Sequence, residues 1–527
     1  MKRILVCDGL HESGLELLNA QEGVSVDAPD HWSMEQIAAE LPNYEAMVVR
    51  SRTKVTKDML EAARKLTVIG RAGTGVDNID TETASAKGIL VMNTPGANAM
   101  AAAEHTMALI LSLARHVPQA TQSIREGRWE KARFVGTELY QQTLGILGLG
   151  KIGSIVADRA LAMGMEVICH DPFISQEVAS GMGVCWVDLD EIFARSHFIS
   201  LHTPQTPETE HIINKQTLGQ MRKGTRIVNC ARGKLVDENA LYEALVSGHI
   251  AGAALDVFAN EPPQDSPLVS LPNVVLTPHL GASSVQAQAN VAHMIASQLI
   301  AYFTRGIIKN AVNFPSISSR LYERLHPYLT LAEKLGSLQG QLCSSIDHLE
   351  IRFSGPDLEE LPLEPITQTV IKGILEPVLA EKVNLVNAPI LLKERQVNLV
   401  TSTTSEAKGY MGMITVKVSG KKGLSSASGT VFPGEGPRLI RLDNYRLEAE
   451  LKGRNLVIHN LDRPGVIGLI GHTLGRFQVN IANMHLSRTP EKDKAVAIIR
   501  IDEQAPDSAM DVLREHENIL SATQIRL

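Results

Sequence analysis

Gly148-Leu149-Gly150-Lys151-Ile152-Gly153 restricts the fold of this chain more than any other feature. The apolar run Leu144-Gly145-Ile146-Leu147 before it reads as a buried strand, and residues 151 to 163 after it read as a helix. In such a strand–turn–helix unit the first glycine makes the tight turn. The second lets backbone approach a pyrophosphate, and the third allows helix and strand to pack closely. The helix N-terminus then offers free N–H groups and the positive end of its dipole to the phosphates. The next strand, 166–170, ends at Asp171, close to the offset of about 20 residues expected for a ribose-binding acid. A carboxylate there accepts from ribose hydroxyls and repels a 2′-phosphate, so the pattern favours NAD over NADP. A glycine turn alone is weak evidence, whereas strand, turn, helix and acid at these spacings are specific.

The surrounding sequence extends this unit. Strand-like runs at 2–7, 46–49, 67–70 and 90–93 alternate with amphipathic pieces such as 59–65, which argues for a parallel sheet with helices on its faces. A long Ala-rich helix is predicted from about Asn98 to His116, with Pro118 as its stop. Further strands are expected at 198–201, 226–229, 252–256 and 274–277, then a long helix from 285 to about 303 that returns the chain to the first domain. The predicted architecture is α/β, with two Rossmann-like doubly wound parallel-sheet domains, the second inserted in the first. They span residues 1–97 plus 285–310, and 98–284. Residues 311–452 have a different texture, rich in Val, Leu, Ser and Thr, with strands at 348–353 and 413–418 and a turn-rich stretch at 431–437. They read as an α+β domain. Residues 453–527 run strand, helix, two strands, helix, strand, which is the ferredoxin-like βαββαβ order.

Composition excludes several function classes. A net charge of -7 over 527 residues gives no basic face for a polyanion. The longest apolar run, 106–114, is about half a membrane span, and the first residues carry no signal-peptide pattern. Five scattered cysteines show no metal-ligand or redox spacing, so no metal is expected and a reducing, cytoplasmic setting is.

Three later segments carry the chemistry. Asn229-Cys230-Ala231-Arg232-Gly233, Asp256-Val257-Phe258-Ala259-Asn260-Glu261-Pro262-Pro263 and Thr277-Pro278-His279-Leu280-Gly281-Ala282-Ser283 each follow a strand. In a doubly wound sheet such positions line the crevice beside the cofactor. Oxidation of a 2-hydroxy acid needs a cation for the substrate carboxylate, which a planar Arg supplies best. It also needs a base of suitable pKa, a His, and a carboxylate behind that base to orient it and stabilise its charged form. Arg232, His279 and Glu261 fit these roles in turn.

With these segments, the chain resembles the D-2-hydroxyacid dehydrogenase family, most closely its 3-phosphoglycerate-oxidising branch. The resemblance is strongest in Val49-Arg50-Ser51, Gly70-Arg71-Ala72-Gly73-Thr74-Gly75-Val76-Asp77-Asn78, Val91-Met92-Asn93-Thr94-Pro95-Gly96 and Gly136-Thr137-Glu138-Leu139, besides the glycine pattern and the three segments above. It implies NAD contacts at Thr74, Gly148, Gly150, Lys151, Ile152, Gly153, Asp171, Thr203, Cys230, Ala231, Arg232, Asp256, His279, Gly281 and Ala282. It implies an intervening domain at 311–452, an ACT domain at 453–527, and a homo-oligomer, tetramer or dimer. Formate dehydrogenases of this fold carry Gln where Glu261 stands here, which argues against that activity.

The substrate pocket for a phosphorylated acid needs several cations. Arg50, Arg52 and Lys54 cluster after a strand, and Arg71 precedes the Gly73-Thr74-Gly75 turn, whose amides can hold a carboxylate. Arg50, Arg71 and Gly73, with Arg232 and His279, are the first choices, and Lys131 and Arg133 are further contributors from a neighbouring subunit. In the tail, Asn460, Asp462 and the helix opened by Pro464-Gly465 can bind an ammonium and a carboxylate, with Asn480 supplied by a neighbouring chain. The resemblance implies L-serine as the effector there. The alternatives are reduction of another anionic 2-oxoacid, such as 2-oxoglutarate or hydroxypyruvate, and an NAD-sensing corepressor that shares the fold.

Overall fold

The computed structural model describes residues 1–29, 31–315, 319–343, 345–380, 382–407, 409–421, 423–491 and 493–527. Four sheets follow one another along the chain. The first runs Val24–Asp27, Lys2–Val6, Ala46–Val49, Val68–Arg71, Leu90–Met92, with every neighbour parallel. Its order reverses between Lys2–Val6 and Ala46–Val49, which opens a crevice at their carboxyl ends. Asp8 stands at that point with its side chain buried, and its carboxylate accepts from the amides of Arg50 (2.7 Å) and Thr53 (3.1 Å) and from Arg52 Nε (3.3 Å). The edge strand Val24–Asp27 was not anticipated. Its four residues are all half-buried, so it lacks the alternation that marks a strand in sequence.

The second sheet is also wholly parallel: Val274–Leu276, Ile250–Leu255, Thr225–Asn229, Phe198–Leu201, Thr143–Leu147, Glu166–His170, Cys185–Trp186. Its switch point lies between Thr143–Leu147 and Phe198–Leu201, beside the glycine turn. Helix Ala99–Arg115 buries Ala103, Ile110 and Leu113 in this lobe's core. Pro118 is not its stop. The helix ends at His116, in the left-handed region with φ 54°, and Pro118 occupies the first turn of a second helix, Val117–Arg125. A missing N–H costs nothing at that position.

Helix Val285–Arg305 is capped by Ser284, whose Oγ accepts from Ala287 N at 3.1 Å, and it ends at Gly306 with φ 66°. Its apolar stripe packs back on the first sheet, where Ile295, Ala296 and Leu299 share a core with Ile4, Val48 and Val68. The chain then runs along the edge of Leu90–Met92, with Val312 N donating to Val91 O at 2.7 Å.

The third sheet orders as Asn398–Thr404, His348–Ser354, Met413–Gly420, Gly423–Phe432, Gly436–Leu442, Tyr445–Glu450. Its first pair is parallel and the rest are antiparallel. Two helices that sequence reading missed, Ser319–Leu342 and Leu363–Leu375, cover one face through Leu331, Leu335, Val370 and Ile374. The last sheet is antiparallel: Ile481–Arg488, Lys494–Ile501, Arg454–Leu461, Ile519–Arg526. With helices Val466–Arg476 and Asp507–Arg514 it completes the expected ferredoxin-like order. Among the described residues no helix is long and apolar enough to cross a membrane.

The packing of the returning helix gives a first test. Ile295 is fully buried, so Ile295→Ala should lower the stability of the first lobe by about 2–5 kcal/mol. Faster amide exchange in the strands Lys2–Val6 and Val68–Arg71, with the last sheet unchanged, is the expected reading.

Candidate active site

The glycine turn is built to admit a ligand. Gly148 has φ 92°, and a Cβ on it would lie 2.9 Å from the His202 carbonyl carbon and 3.0 Å from Thr203 Cγ2. On Gly153 a Cβ would stand 2.1 Å from Gly148 O, so helix and strand meet there without a side chain between them. Around Gly150 there is open space. The helix Lys151–Ala162 begins at Gly150 with no side-chain cap, so its first amides have no partner from a capping residue. Asp171, at the end of the next strand, is buried and accepts from Leu149 N (2.8 Å) and Phe173 N (2.9 Å), which fixes its carboxylate beside the turn. Thr203 Oγ1 is buried with no protein partner. These features fit NAD: an open backbone for pyrophosphate, an acid for ribose and an orphaned hydroxyl for a polar group. Lys151 Nζ reaches Pro95 O at 3.2 Å, tying the turn to the crossover between the lobes. Ile152 and Ala282 are half-buried, and the Cys230 thiol is pushed up to about 12 by burial, so it offers no thiolate.

Asp256 follows the strand Ile250–Leu255 and is fully buried. Its Oδ1 accepts from Thr277 Oγ1 (2.6 Å), Leu280 N (2.7 Å) and His105 Nε2 (3.2 Å), and its Oδ2 from Gly281 N (2.8 Å). Burial pushes this carboxyl up, but the bonds from His105, Thr277 and the two amides outweigh it and hold the group below the ordinary range. The 277–281 loop is pinned as a result, and His279 sits in it with φ 55°.

His279 Nδ1 lies 2.8 Å from Glu261 Oε2, and both side chains are partly exposed. An ionised carboxylate only accepts, so Nδ1 carries the proton and Nε2 keeps a lone pair. Chiefly through this bond, the His279 pKa is raised above the usual histidine value, against the opposing effect of burial. Glu261 feels burial most, which pushes it up, yet its bond to His279 brings the net shift downward. Glu261 Oε1 also accepts from Phe258 N at 3.2 Å, which aims the carboxylate.

Arg232 stands across the crevice. Its Nε donates to Asp77 Oδ2 at 2.9 Å and its Nη1 to Ala231 O at 2.7 Å. Ala231 N is held by Asn229 Oδ1 at 3.0 Å. The Gly73-Thr74-Gly75 turn is stapled by Asn93 Nδ2 on Thr74 O (2.6 Å) and Thr94 N on Gly73 O (3.0 Å). Thr74 Oγ1 bonds Asn98 Oδ1 at 2.9 Å. Arg71 is folded over Gly73, where a Cβ would fall 1.3 Å from its Nη1. Burial, then the like charge of Arg232, depress the Arg71 pKa to about 10, and Arg50 acts in the same sense. Arg71 is therefore within electrostatic reach of both Arg232 and Arg50. Arg52 is committed to Asp8 and to Cys7 O (2.8 Å), and Arg133 pairs with Glu130 (3.3 Å), so neither joins them within this chain.

Sequence reading missed His105, which supports Asp256, and Asp77, which holds Arg232. Both lie far in sequence from their partners, and neither had a spacing to mark it. In the last sheet Asn460 and Asp462 line a cavity of about 240 Å³ with Pro464, Gly465, Val466 and Arg488. Arg488 was not anticipated, and its Nε pairs with Asp462 Oδ2 at 3.1 Å. Asn480 is not on the wall of that cavity; its Nδ2 donates to Asp502 Oδ2 at 2.6 Å.

A doubly wound nucleotide lobe with an Arg, a Glu-held His and a cationic turn opposite defines a class, the NAD-dependent D-2-hydroxyacid dehydrogenases. Residues 107–281 match the family described as D-isomer specific 2-hydroxyacid dehydrogenase, NAD binding domain, and residues 324–443 match the D-3-phosphoglycerate dehydrogenase intervening domain. The chain is 42% identical over 528 residues to D-3-phosphoglycerate dehydrogenase of Synechocystis, covering all of this chain and 95% of that one. It is 42% identical over 529 residues to D-3-phosphoglycerate dehydrogenase of Methanocaldococcus jannaschii, covering 100% of both. D-lactate dehydrogenase from Aquifex aeolicus, solved with NAD and lactic acid, superposes with a TM-score of 0.54 at 29% identity, over 59% of this chain and 100% of that one. The chain belongs to the D-3-phosphoglycerate dehydrogenase family.

The His279–Glu261 contact is open to direct measurement. By NMR titration, His279 should show a pKa above the ordinary histidine value, and Glu261→Gln should bring it down. An unchanged value in the variant would mean the carboxylate does not hold the proton on the ring.

Proposed function

We propose that this enzyme oxidises the C2 hydroxyl of 3-phosphoglycerate, giving 3-phosphohydroxypyruvate, in the first step of the phosphorylated route to L-serine. The observation that carries this reading is the placing of the Arg71 and Arg232 guanidinium groups against the same Gly73-Thr74-Gly75 turn, with Arg50 within electrostatic reach of Arg71. A substrate with a carboxylate and a phosphate needs that many cations, and a substrate with one carboxylate does not. The substrate named by the full-length relatives supports it.

Arg232 and the amides of the Gly73-Thr74-Gly75 turn hold the carboxylate, while Arg50 and Arg71 take the phosphate end. NAD, bound at the glycine turn, Asp171 and Thr203, supplies the hydride acceptor. His279 accepts the hydroxyl proton at Nε2 while its Nδ1–H stays on Glu261, whose negative charge stabilises the imidazolium that forms. Arg232 polarises the reacting oxygen. In the reverse direction protonated His279 is the acid.

NADH formation from NAD and 3-phosphoglycerate at mildly alkaline pH is the primary test. His279→Ala or Arg232→Ala should lower kcat by about 10²–10⁴-fold, and near-normal turnover in either would overturn the assignment. The oxidation needs neutral His279, so its rate should climb as pH rises through the raised pKa, and Glu261→Gln should move that rise to lower pH. A flat profile would remove His279 as the base.

We further propose that L-serine binds the cavity at Asn460, in an ACT-type domain. Asn460 is buried and its Oδ1 has no protein partner, which suits the ammonium of an amino acid. The adjoining helix Val466–Arg476 starts at Gly465 with no side-chain cap, so its N-terminus can take the carboxylate. Asn480 would join the site from a second chain paired along the edge strand Ile481–Arg488. Millimolar L-serine should slow NADH formation, and Asn460→Ala should abolish the effect. Absence of both inhibition and calorimetric binding would leave the cavity a purely structural turn.

A further inference from the structure

We propose that Asp77 is a positioning residue for the reaction, fixing the plane of the Arg232 guanidinium across the cleft between the two parallel-sheet lobes. The inference rests on the reading that Arg232 holds the substrate carboxylate. Asp77 lies on the 73–78 turn of the first lobe, and Arg232 follows a strand of the second, 155 residues away in sequence.

A guanidinium offers five N–H donors in one fixed plane. Here Nε is taken by Asp77 Oδ2 at 2.9 Å and Nη1 by Ala231 O at 2.7 Å. Among the described residues nothing is hydrogen-bonded to Nη2. That nitrogen is aimed at the Gly73-Thr74-Gly75 turn, because a Cβ on Gly75 would fall 1.9 Å from it. The Ala231 carbonyl alone fixes one point, about which the fork can swing. A second contact, from the opposite lobe, sets its orientation and leaves Nη2 over the turn whose amides receive the same carboxylate.

An acid beside an anion site weakens ligand binding by repulsion, so Asp77 is out of place unless it does something else there. Fold stability is a poor explanation. The Asp77 side chain is 65% exposed, and exposed ion pairs contribute little. Orientation is what the geometry offers, and reaction rates depend steeply on it.

The test uses full-length Asp77→Ala and Asp77→Asn enzymes assayed with NAD and 3-phosphoglycerate, with NADH affinity read by fluorescence. Asp77→Ala should lower kcat about tenfold to a hundredfold while NADH affinity holds. Asp77→Asn keeps an acceptor oxygen in the same place and should restore most of kcat. In an Arg232→Lys background, which has no Nε fork, Asp77→Ala should cause no further loss. Unchanged kcat with a lower KM in Asp77→Ala would overturn the proposal, since Asp77 would then merely compete with substrate. Equal losses in Ala and Asn variants would also overturn it, by showing charge rather than orientation at work. Turnover surviving in Arg232→Ala would instead remove the premise, whereas an inactive Arg232→Ala beside a normal Asp77→Ala would sink the Asp77 role alone.

Discussion

Asp256 places a carboxylate out of reach of solvent, with donors from His105, Thr277, Leu280 and Gly281 around it. An ionised carboxylate in such a place is costly unless its lone pairs are met. The sequence after it can meet them only by folding the 277–281 loop back over the strand end. The backbone closes the same contact from the other side, with His279 N donating to Asp256 O at 2.9 Å. Left-handed geometry at a non-glycine residue is unfavourable. His279 adopts it because the residues on either side of it are bound to Asp256.

From that anchor the rest of the crevice follows by short links. Loop 277–281 sets His279, and Glu261, aimed by Phe258 N, sets its tautomer. On the opposite wall, Asn93 and Thr94 from the crossover staple the Gly73-Thr74-Gly75 turn. Among the pairs that bridge the lobes are Arg232 with Asp77 and Lys151 with Pro95 O. His105 links the long helix Ala99–Arg115 to Asp256, so a helix that packs on the nucleotide lobe also supports the loop carrying His279. Most of these partners are backbone groups or buried side chains, which suits a site that must hold its geometry between turnovers.

The parts legible in sequence were those whose physics is local. The glycine turn, Asp171, and the strand-following Arg232, Glu261 and His279 each sit at a fixed offset from an apolar run, and the fold sets Asp171 against the glycine turn and Glu261 against His279. The βαββαβ order of the last sheet was equally plain, because its strands and helices alternate in period. Contacts made across the fold left no such mark. His105 reads as one polar residue on an Ala-rich helix, Asp77 as part of a glycine-rich turn, and Arg488 as an ordinary residue on an edge strand. The helices Ser319–Leu342 and Leu363–Leu375 were missed for a different reason. The first carries Pro327 inside it and the second follows Pro362, and a proline marks the end of a helix as readily as its start. Pro118 carries the same ambiguity: it stands at the beginning of an element, where the sequence alone suggests an end.

The charges of the crevice bear on substrate choice. Arg71 has its Nε buried without a partner, and the like charges of Arg232 and Arg50 help to depress its pKa. At about 10 it remains protonated at neutral pH, so Arg71 is a cation within reach of two others, with Asp77 and Asp8 as the nearby acids that offset its charge. Asp8 is further engaged with Arg52 and the 50–53 turn, and Asp77 with Arg232. If Arg232 takes the carboxylate as proposed, a ligand with a single carboxylate relieves this repulsion at Arg232 and leaves that between Arg50 and Arg71. One with an anion at each end relieves both. On the proposed reading the discrimination falls on the arginines rather than on His279 and Glu261, whose chemistry any 2-hydroxy acid would share.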